Sequence, residues 1–92
     1  GGVYAVKVII DGKCYKGMAN IGKNPTFGDV EEARLEVNIF DFEGNLYGKE
    51  ITVVFYQRIR GEVKFASVDE LVGQIKKDKE TVLNCLKKEA SL

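Results

Sequence analysis

The residues of this sequence that could do acid–base chemistry are carboxylates, lysines, tyrosines and cysteines, because the chain contains no histidine. Histidine is the commonest general base and the commonest zinc ligand in proteins, so its absence narrows the options. Cys14 and Cys85 lie far apart and match no zinc-binding or redox spacing. We therefore predict no metal site made by the side chains of this chain.

Glu36 lies in the alternating segment 34–42, RLEVNIFDF. The alternation predicts a strand with Leu35, Val37 and Ile39 on one face and Glu36 on the other. From this pattern alone, a solvated glutamate is the better interpretation, because most surface carboxylates have no special role.

Arg58 and Arg60 end the longest strand pattern, residues 50–60. The planar fork of an arginine side chain suits phosphate groups. From the sequence alone, however, a solvated charge at the end of a strand is the better interpretation.

The elements that must position these residues follow from turn chemistry and periodicity. Residues 3–10 predict a strand, the Asp11-Gly12 pair predicts a hairpin turn, and residues 13–21 predict the returning strand. Residues 22–32 carry the only proline and predict a long loop.

A helix is predicted from Ser67 onward, because Ser67 and Glu70 have the spacing of a capping box. Asp78 interrupts the apolar stripe of this helix. One bent helix or two short helices would both fit, with Asp78 as the cap of the second.

These elements predict one domain over residues 1–92, with a small closed antiparallel sheet in residues 1–66 and a helical segment in residues 67–92. Lys plus Arg (14) equals Asp plus Glu (14), which gives no general attraction to nucleic acid or to an anionic membrane. We see no transmembrane run and no secretory leader, and the paucity of cysteine favours a cytoplasmic location.

Four stretches together resemble the riboflavin kinase family, in the family's order and spacing. They are GVYAVKV (2–8), YKGMANIGKNPTFG (15–28), LEVNIFDFEGNLYGKEITVVFYQRIR (35–60) and KFASVDELVGQIKKD (64–78). The resemblance implies a six-stranded antiparallel Greek-key β-barrel packed by a C-terminal α-helix. It also implies ATP-dependent phosphorylation of riboflavin to FMN, with Mg²⁺ accompanying ATP.

The resemblance also implies a larger parent protein, because in bacteria this domain usually follows an N-terminal FMN adenylyltransferase domain. The family carries a G-x-P-T-A-N stretch upstream, whose Thr and Asn hold magnesium and the nucleotide phosphates, and nothing before Val3 supplies it. A barrel that binds flavin or a partner domain without turnover is therefore the alternative. Asn38 is a second departure, since many relatives have histidine there.

The resemblance assigns roles to individual residues. Glu36 matches the catalytic base that acts on the 5′-hydroxyl of riboflavin, and Arg60 and Phe65 match flavin-binding positions. Arg58 is a weaker flavin candidate. Phe65 is equally suited to anchoring the start of the helix, and the two roles are compatible.

Two further groups are implied by the resemblance. The nucleotide-binding positions match Ile39, Asp41 and Tyr47, although core packing explains Ile39 almost as well and turn formation explains the other two. A mobile flap over the site, which would exclude water as a competing acceptor, matches Asn24, Pro25 and Thr26. An ordinary surface loop is the alternative for these three.

Overall fold

The computed structural model describes the backbone of residues 1–25 and 31–90 and the side chains of residues 1–22 and 34–88. Four strands are followed by one helix. In chain order they are β1 (Gly2–Ile10), β2 (Lys13–Pro25), β3 (Glu31–Ile39), β4 (Ile51–Arg60) and α1 (Val68–Ala90).

The strands form one antiparallel sheet in the order β3-β2-β1-β4. Three strands follow one another and the fourth returns beside the first, which is the Greek-key arrangement. The predicted fold class, a small antiparallel Greek-key β-barrel packed by a C-terminal α-helix, is confirmed in its strand topology and its helix. The resemblance implied six strands, whereas the described residues form four, with β3 and β4 at the edges.

The predicted hairpin between β1 and β2 is present. Asp11 and Gly12 have φ values of 50° and 77°, and Ile10 pairs with Lys13 across the turn. Positive φ at both central residues is the geometry of a type I′ turn, whose twist matches that of the flanking strands. The Asp-Gly pair therefore sets the register of the whole β1–β2 ladder.

Strand β1 is the centre of the fold because both of its faces are covered. On one face Val3 and Ala5 join a buried cluster with Val82 and Leu86 of α1. On the other face a second cluster forms from Val6, Val8, Ile10 and Ala19. Alternation along the strand sends these side chains to opposite sides, so β1 is apolar at nearly every position.

Helix α1 begins with the predicted capping box. The Glu70 N–H donates to Ser67 Oγ at 3.2 Å, and Glu70 Oε2 accepts from the Ala66 N–H at 3.0 Å. The helix then runs without interruption to Ala90, so the alternative of two short helices is wrong. No helix among residues 1–25 and 31–90 is long and apolar enough to cross a membrane.

The loop predicted over residues 22–32 is shorter than expected. The β2–β3 ladder continues through Asn24, which pairs with Glu32, and ends with Pro25 opposite Glu31. A proline is tolerated at the end of a strand, where its missing N–H breaks few ladder bonds. Asn24 and Pro25 therefore lie in a strand, and Thr26 lies outside the described residues.

Replacing Leu86 by Ala should lower the free energy of unfolding by about 2–5 kcal/mol, because Leu86 is fully buried between α1 and the sheet. Leu71→Ala, on the same helix but 39% exposed, should cost about 1 kcal/mol or less. Urea denaturation of both variants checks this. Equal losses of unfolding free energy in the two variants would show that the C-terminal half of α1 does not contribute more than the first half to holding the helix on the sheet.

Candidate active site

A cavity of about 820 Å³ lies between the helix-facing side of the sheet, the connector after β4 and the first half of α1. This size falls within the range of small-molecule sites in proteins. The sheet contributes Val3, Met18, Asn20, Glu36, Val37 and Asn38, the end of β4 and the connector contribute Arg60, Glu62, Val63, Lys64 and Phe65, and α1 contributes Leu71, Ile75 and Asp78.

Glu36 is brought to this cavity by the register of β3. It pairs directly with Asn20 of β2, and Asn38 lies two residues further along the same face. Ile39, on the opposite face, packs against the cluster around Val6 and Val8. The predicted orientation of Glu36, away from the apolar face of its strand, is therefore present in the structure.

The Glu36 carboxylate is accessible and only weakly constrained. Its Oε1 lies 2.9 Å from Arg34 Nη2, and the side chains of this pair are 57% and 61% exposed. An ion pair this exposed is screened by water and contributes little stability. The carboxylate can therefore leave Arg34 and accept a hydrogen bond from a molecule in the cavity.

The second feature of the site is a pair between Arg60, the last residue of β4, and Asp78, in the middle of α1. Arg60 Nε donates to both carboxylate oxygens at 2.9 Å and 3.1 Å, and Nη2 donates at 2.7 Å. The remaining terminal nitrogen, Nη1, donates to the Gly61 carbonyl at 3.0 Å. Gln74 Nε2 adds a further hydrogen bond to Asp78 Oδ1 at 3.0 Å.

This network determines the charge state of Asp78. Burial pushes the pKa of Asp78 upward, but hydrogen bonds from Arg60 and Gln74 and the charge of Arg60 outweigh burial and hold the pKa below its ordinary value of 3.8. The hydrogen bond to Asp78 likewise raises the pKa of Arg60, against the opposing effect of burial. Both groups are therefore ionised at neutral pH.

Besides the charged connector residues Glu62 and Lys64, the wall of the cavity near Arg60 carries apolar side chains. The Arg60 guanidinium carbon lies 6.0 Å from the centroid of the Phe65 ring, at the outer limit of a cation–π contact. Leu71 and Ile75 line the cavity and are each 39% exposed, although the helix stripe to which they belong is apolar. Together these side chains form a surface suited to a flat aromatic ring.

Glu36, Arg60 and Phe65 are thus brought together, whereas Ile39, Asp41 and Tyr47 do not line this cavity. Ile39 packs in the core, and Asp41 is an exposed turn residue with φ of 56°. Tyr47 is 92% exposed, and its N–H binds Asn45 Oδ1 at 2.8 Å. The nucleotide-binding roles of Ile39, Asp41 and Tyr47 therefore stay predictions.

Arg58, the weaker flavin candidate, does not line the cavity. Its Nε and Nη2 both donate to the Gly1 carbonyl, at 3.2 Å and 2.9 Å. The register of β4 against β1 shifts between Val3 and Tyr4 and between Ala5 and Val6, so simple alternation does not predict the positions of Arg58 and Arg60.

Sequence reasoning missed the helix side of the site. The sequence predicts Asp78 as an interruption of the apolar stripe or as the cap of a second helix, and it predicts no site role for Gln74, Leu71 and Ile75. A charged residue on a buried stripe requires a partner of opposite charge. The position of Asp78 on the apolar stripe therefore predicts a cationic partner, which the structure shows to be Arg60.

The described residues contain no group of three or more His, Cys, Asp or Glu side chains that could hold a metal ion. Asp78, the buried carboxylate of the cavity, is fully engaged by Arg60 and Gln74. The cavity as described therefore does not fit Mg²⁺ by itself.

A Greek-key sheet whose helix and connector enclose a carboxylate-bearing cavity is a small antiparallel domain with a candidate small-molecule site. The chain belongs to the riboflavin kinase family, because the family model described as "Flavokinase: Riboflavin kinase" matches residues 1–86.

Curated relatives agree with this assignment. The chain is 46% identical over 84 residues to a bifunctional riboflavin kinase/FMN adenylyltransferase of Bacillus subtilis, with 89% of this chain and 27% of the relative covered. It is 49% identical over 81 residues to the enzyme of the same description from Haemophilus influenzae, with coverages of 87% and 26%. The chain thus spans about a quarter of the length of these relatives.

A solved structure shares the fold. A crystal structure described as a macrolide-efflux protein from Streptococcus pneumoniae superposes with a TM-score of 0.82 and is 53% identical in sequence. The match covers 90% of this chain and 27% of that one. The sheet-and-helix arrangement described above is therefore that of a solved protein fold.

The contribution of Asp78 to stability should depend on pH. Its folded pKa is lowered, so its stabilising effect is fully present above the unfolded value near 3.8 and is lost as the pH falls through the folded pKa. Unfolding free energies of the wild type and Asp78→Asn, measured from about pH 2 to about pH 6, should converge toward the acid end.

Val82→Ala is the control for this measurement, because it removes buried apolar contacts from the same helix without removing a charge. The loss of unfolding free energy in Val82→Ala, relative to the wild type, should be similar at every pH. If the loss of unfolding free energy in Asp78→Asn is equally independent of pH, the assignment of Asp78 as an ionised partner of Arg60 is wrong.

Proposed function

We propose that this chain is the riboflavin kinase domain that transfers the γ-phosphoryl group of ATP to riboflavin and produces FMN. The observation that carries the proposal is that Glu36, Arg60 and Phe65, which are far apart in the sequence, line one cavity. Family membership and the kinase description of the relatives support the same activity.

Riboflavin matches the two kinds of wall in the cavity. Its isoalloxazine ring is flat and largely apolar, and it suits the side formed by Phe65, Leu71 and Ile75. Its ribityl chain carries hydroxyl groups and suits the polar side formed by Asn20 and Asn38, whose carboxamides can both donate and accept hydrogen bonds. This orientation directs the terminal hydroxyl toward Glu36.

In the proposed reaction Glu36 accepts the proton of the ribityl 5′-hydroxyl. The hydroxyl oxygen then forms a bond to the γ-phosphorus of ATP as the bond to the β,γ-bridging oxygen breaks, and ADP leaves. The exposed contact with Arg34 is weak enough for Glu36 to exchange it for the substrate hydroxyl. The protein thereby contributes proton removal and alignment of the two reacting atoms.

The nucleotide side of the site is proposed from the resemblance. We assign it to Ile39, Asp41 and Tyr47, with Asn24, Pro25 and Thr26 as a cover. Mg²⁺ would neutralise the phosphate charge when bound with ATP, and the resemblance places its ligands in the upstream G-x-P-T-A-N segment. No residue of the described cavity is assigned to it.

The curated relatives are bifunctional, and this chain spans about a quarter of their length. We therefore propose a parent chain in which an adenylyltransferase domain precedes residues 1–92, and a cytoplasmic location for it. Within this parent, residues 1–66 provide the sheet part and residues 67–92 the helical part of a single kinase domain.

Glu36→Gln should reduce turnover of riboflavin to FMN by about 100- to 10,000-fold, because the amide cannot accept the hydroxyl proton. Riboflavin affinity, followed by quenching of its fluorescence, should change little. The assay is made in the complete protein with ATP and Mg²⁺.

Glu62→Gln is the matched control, since Glu62 is another glutamate that lines the cavity but belongs to the connector. Its turnover should stay within about threefold of the wild type. Near-normal turnover of Glu36→Gln would refute the base assignment. Quenching without FMN formation by the wild type would favour the binding-module alternative.

A further inference from the structure

Asp78 is the one buried charged residue among the residues whose side chains the structure describes, with 3% of its surface exposed. Burying a carboxylate is costly unless it is paired and hydrogen-bonded. Asp78 meets this requirement with Arg60 on one side and Gln74 on the other. Because a buried pair of this kind often adds little net stability, its placement in a ligand cavity calls for a functional explanation.

The geometry of the pair leaves Arg60 with little freedom. Its Nε hydrogen and one Nη2 hydrogen point to Asp78, and one Nη1 hydrogen points to the Gly61 carbonyl. Of the five N–H groups of a guanidinium, two therefore remain, one on each terminal nitrogen. Arg60 can still donate to a ligand, but only from an orientation fixed by Asp78.

The pair also removes most of the net charge from this wall of the cavity. The carboxylate lies within 2.7 Å of the guanidinium, so at a distance the two charges largely cancel. The ring of riboflavin is neutral, whereas FMN adds about two negative charges at neutral pH. An unpaired arginine here would attract the phosphorylated product more than the substrate.

We propose that Asp78 is a positioning residue that fixes the Arg60 guanidinium against the flavin ring and compensates its charge, so that the cavity does not favour FMN over riboflavin. Gln74 contributes by holding the carboxylate in place. This inference rests on the proposed riboflavin kinase function and extends it to the balance between substrate binding and product release.

The test compares the affinities of riboflavin and FMN for the wild-type chain and for Asp78→Asn by fluorescence quenching. The substitution keeps the shape of the side chain and removes its charge. The ratio of FMN affinity to riboflavin affinity should rise on the order of three- to tenfold at low salt. This gain should shrink as added salt screens the uncovered charge of Arg60.

Val82→Ala provides the comparison for a purely structural effect, because Val82 packs in the core beneath the same helix and does not line the cavity. Its affinity ratio should equal that of the wild type at both salt concentrations. An unchanged ratio in Asp78→Asn, or one that rises equally in Val82→Ala, would overturn the proposal.

Gln74→Met keeps the proposal testable if Asp78→Asn does not fold. This variant retains both charges and removes the hydrogen bond that holds the carboxylate. It should weaken riboflavin binding severalfold without changing the ratio of FMN affinity to riboflavin affinity. A Gln74→Met variant that binds riboflavin as tightly as the wild type does would overturn the proposal. A wild-type chain that binds neither flavin would instead refute the proposed function itself.

Discussion

The pairing of Arg60 with Asp78 is the constraint on which the site depends. It joins the last residue of β4 to the middle of α1 across a distance of 2.7 Å. With these two points fixed, the connector between them must pass over the helix-facing side of the sheet. The cavity is the space that this path leaves between the connector, the helix and the face that carries Glu36.

The helix divides into two halves with different roles. Val82 and Leu86 in the second half are fully buried against β1 and the neighbouring strands, so burial of apolar surface anchors the helix there. Leu71 and Ile75 in the first half stay partly exposed because they face the cavity. The partial exposure of these two apolar side chains is consistent with the proposed binding of a ligand in the cavity.

Much of the fold could be predicted from the sequence because it is encoded locally. The Asp-Gly turn, the alternation around Glu36 and the Ser67–Glu70 cap each depend on a few neighbouring residues, and each is present. The side of the sheet to which Glu36 belongs followed from period-two alternation alone. The packing of helix α1 over this side of the sheet did not follow from alternation, because it depends on tertiary contacts.

The errors also have physical causes. Gly22 and Pro25 suggested a loop, but ladder pairing with β3 overrode these local preferences and extended β2. The local sequence predicts Asp78 only as a cap or an interruption, because its partner Arg60 lies in another element and no local pattern joins the two. The register shifts of β4 against β1 likewise placed Arg58 and Arg60 in different surroundings, which simple alternation could not anticipate.

The most direct measurement is a titration of the isotope-labelled chain with riboflavin, followed by two-dimensional ¹H–¹⁵N NMR. The account predicts that the largest shifts occur at the Arg60 Nε–H and at the backbone amides of Asn20, Glu36 and Phe65. Shifts confined to the backbone amides of β4 around Phe55 and Tyr56, whose side chains are exposed, with the Arg60 resonance unmoved, would contradict it.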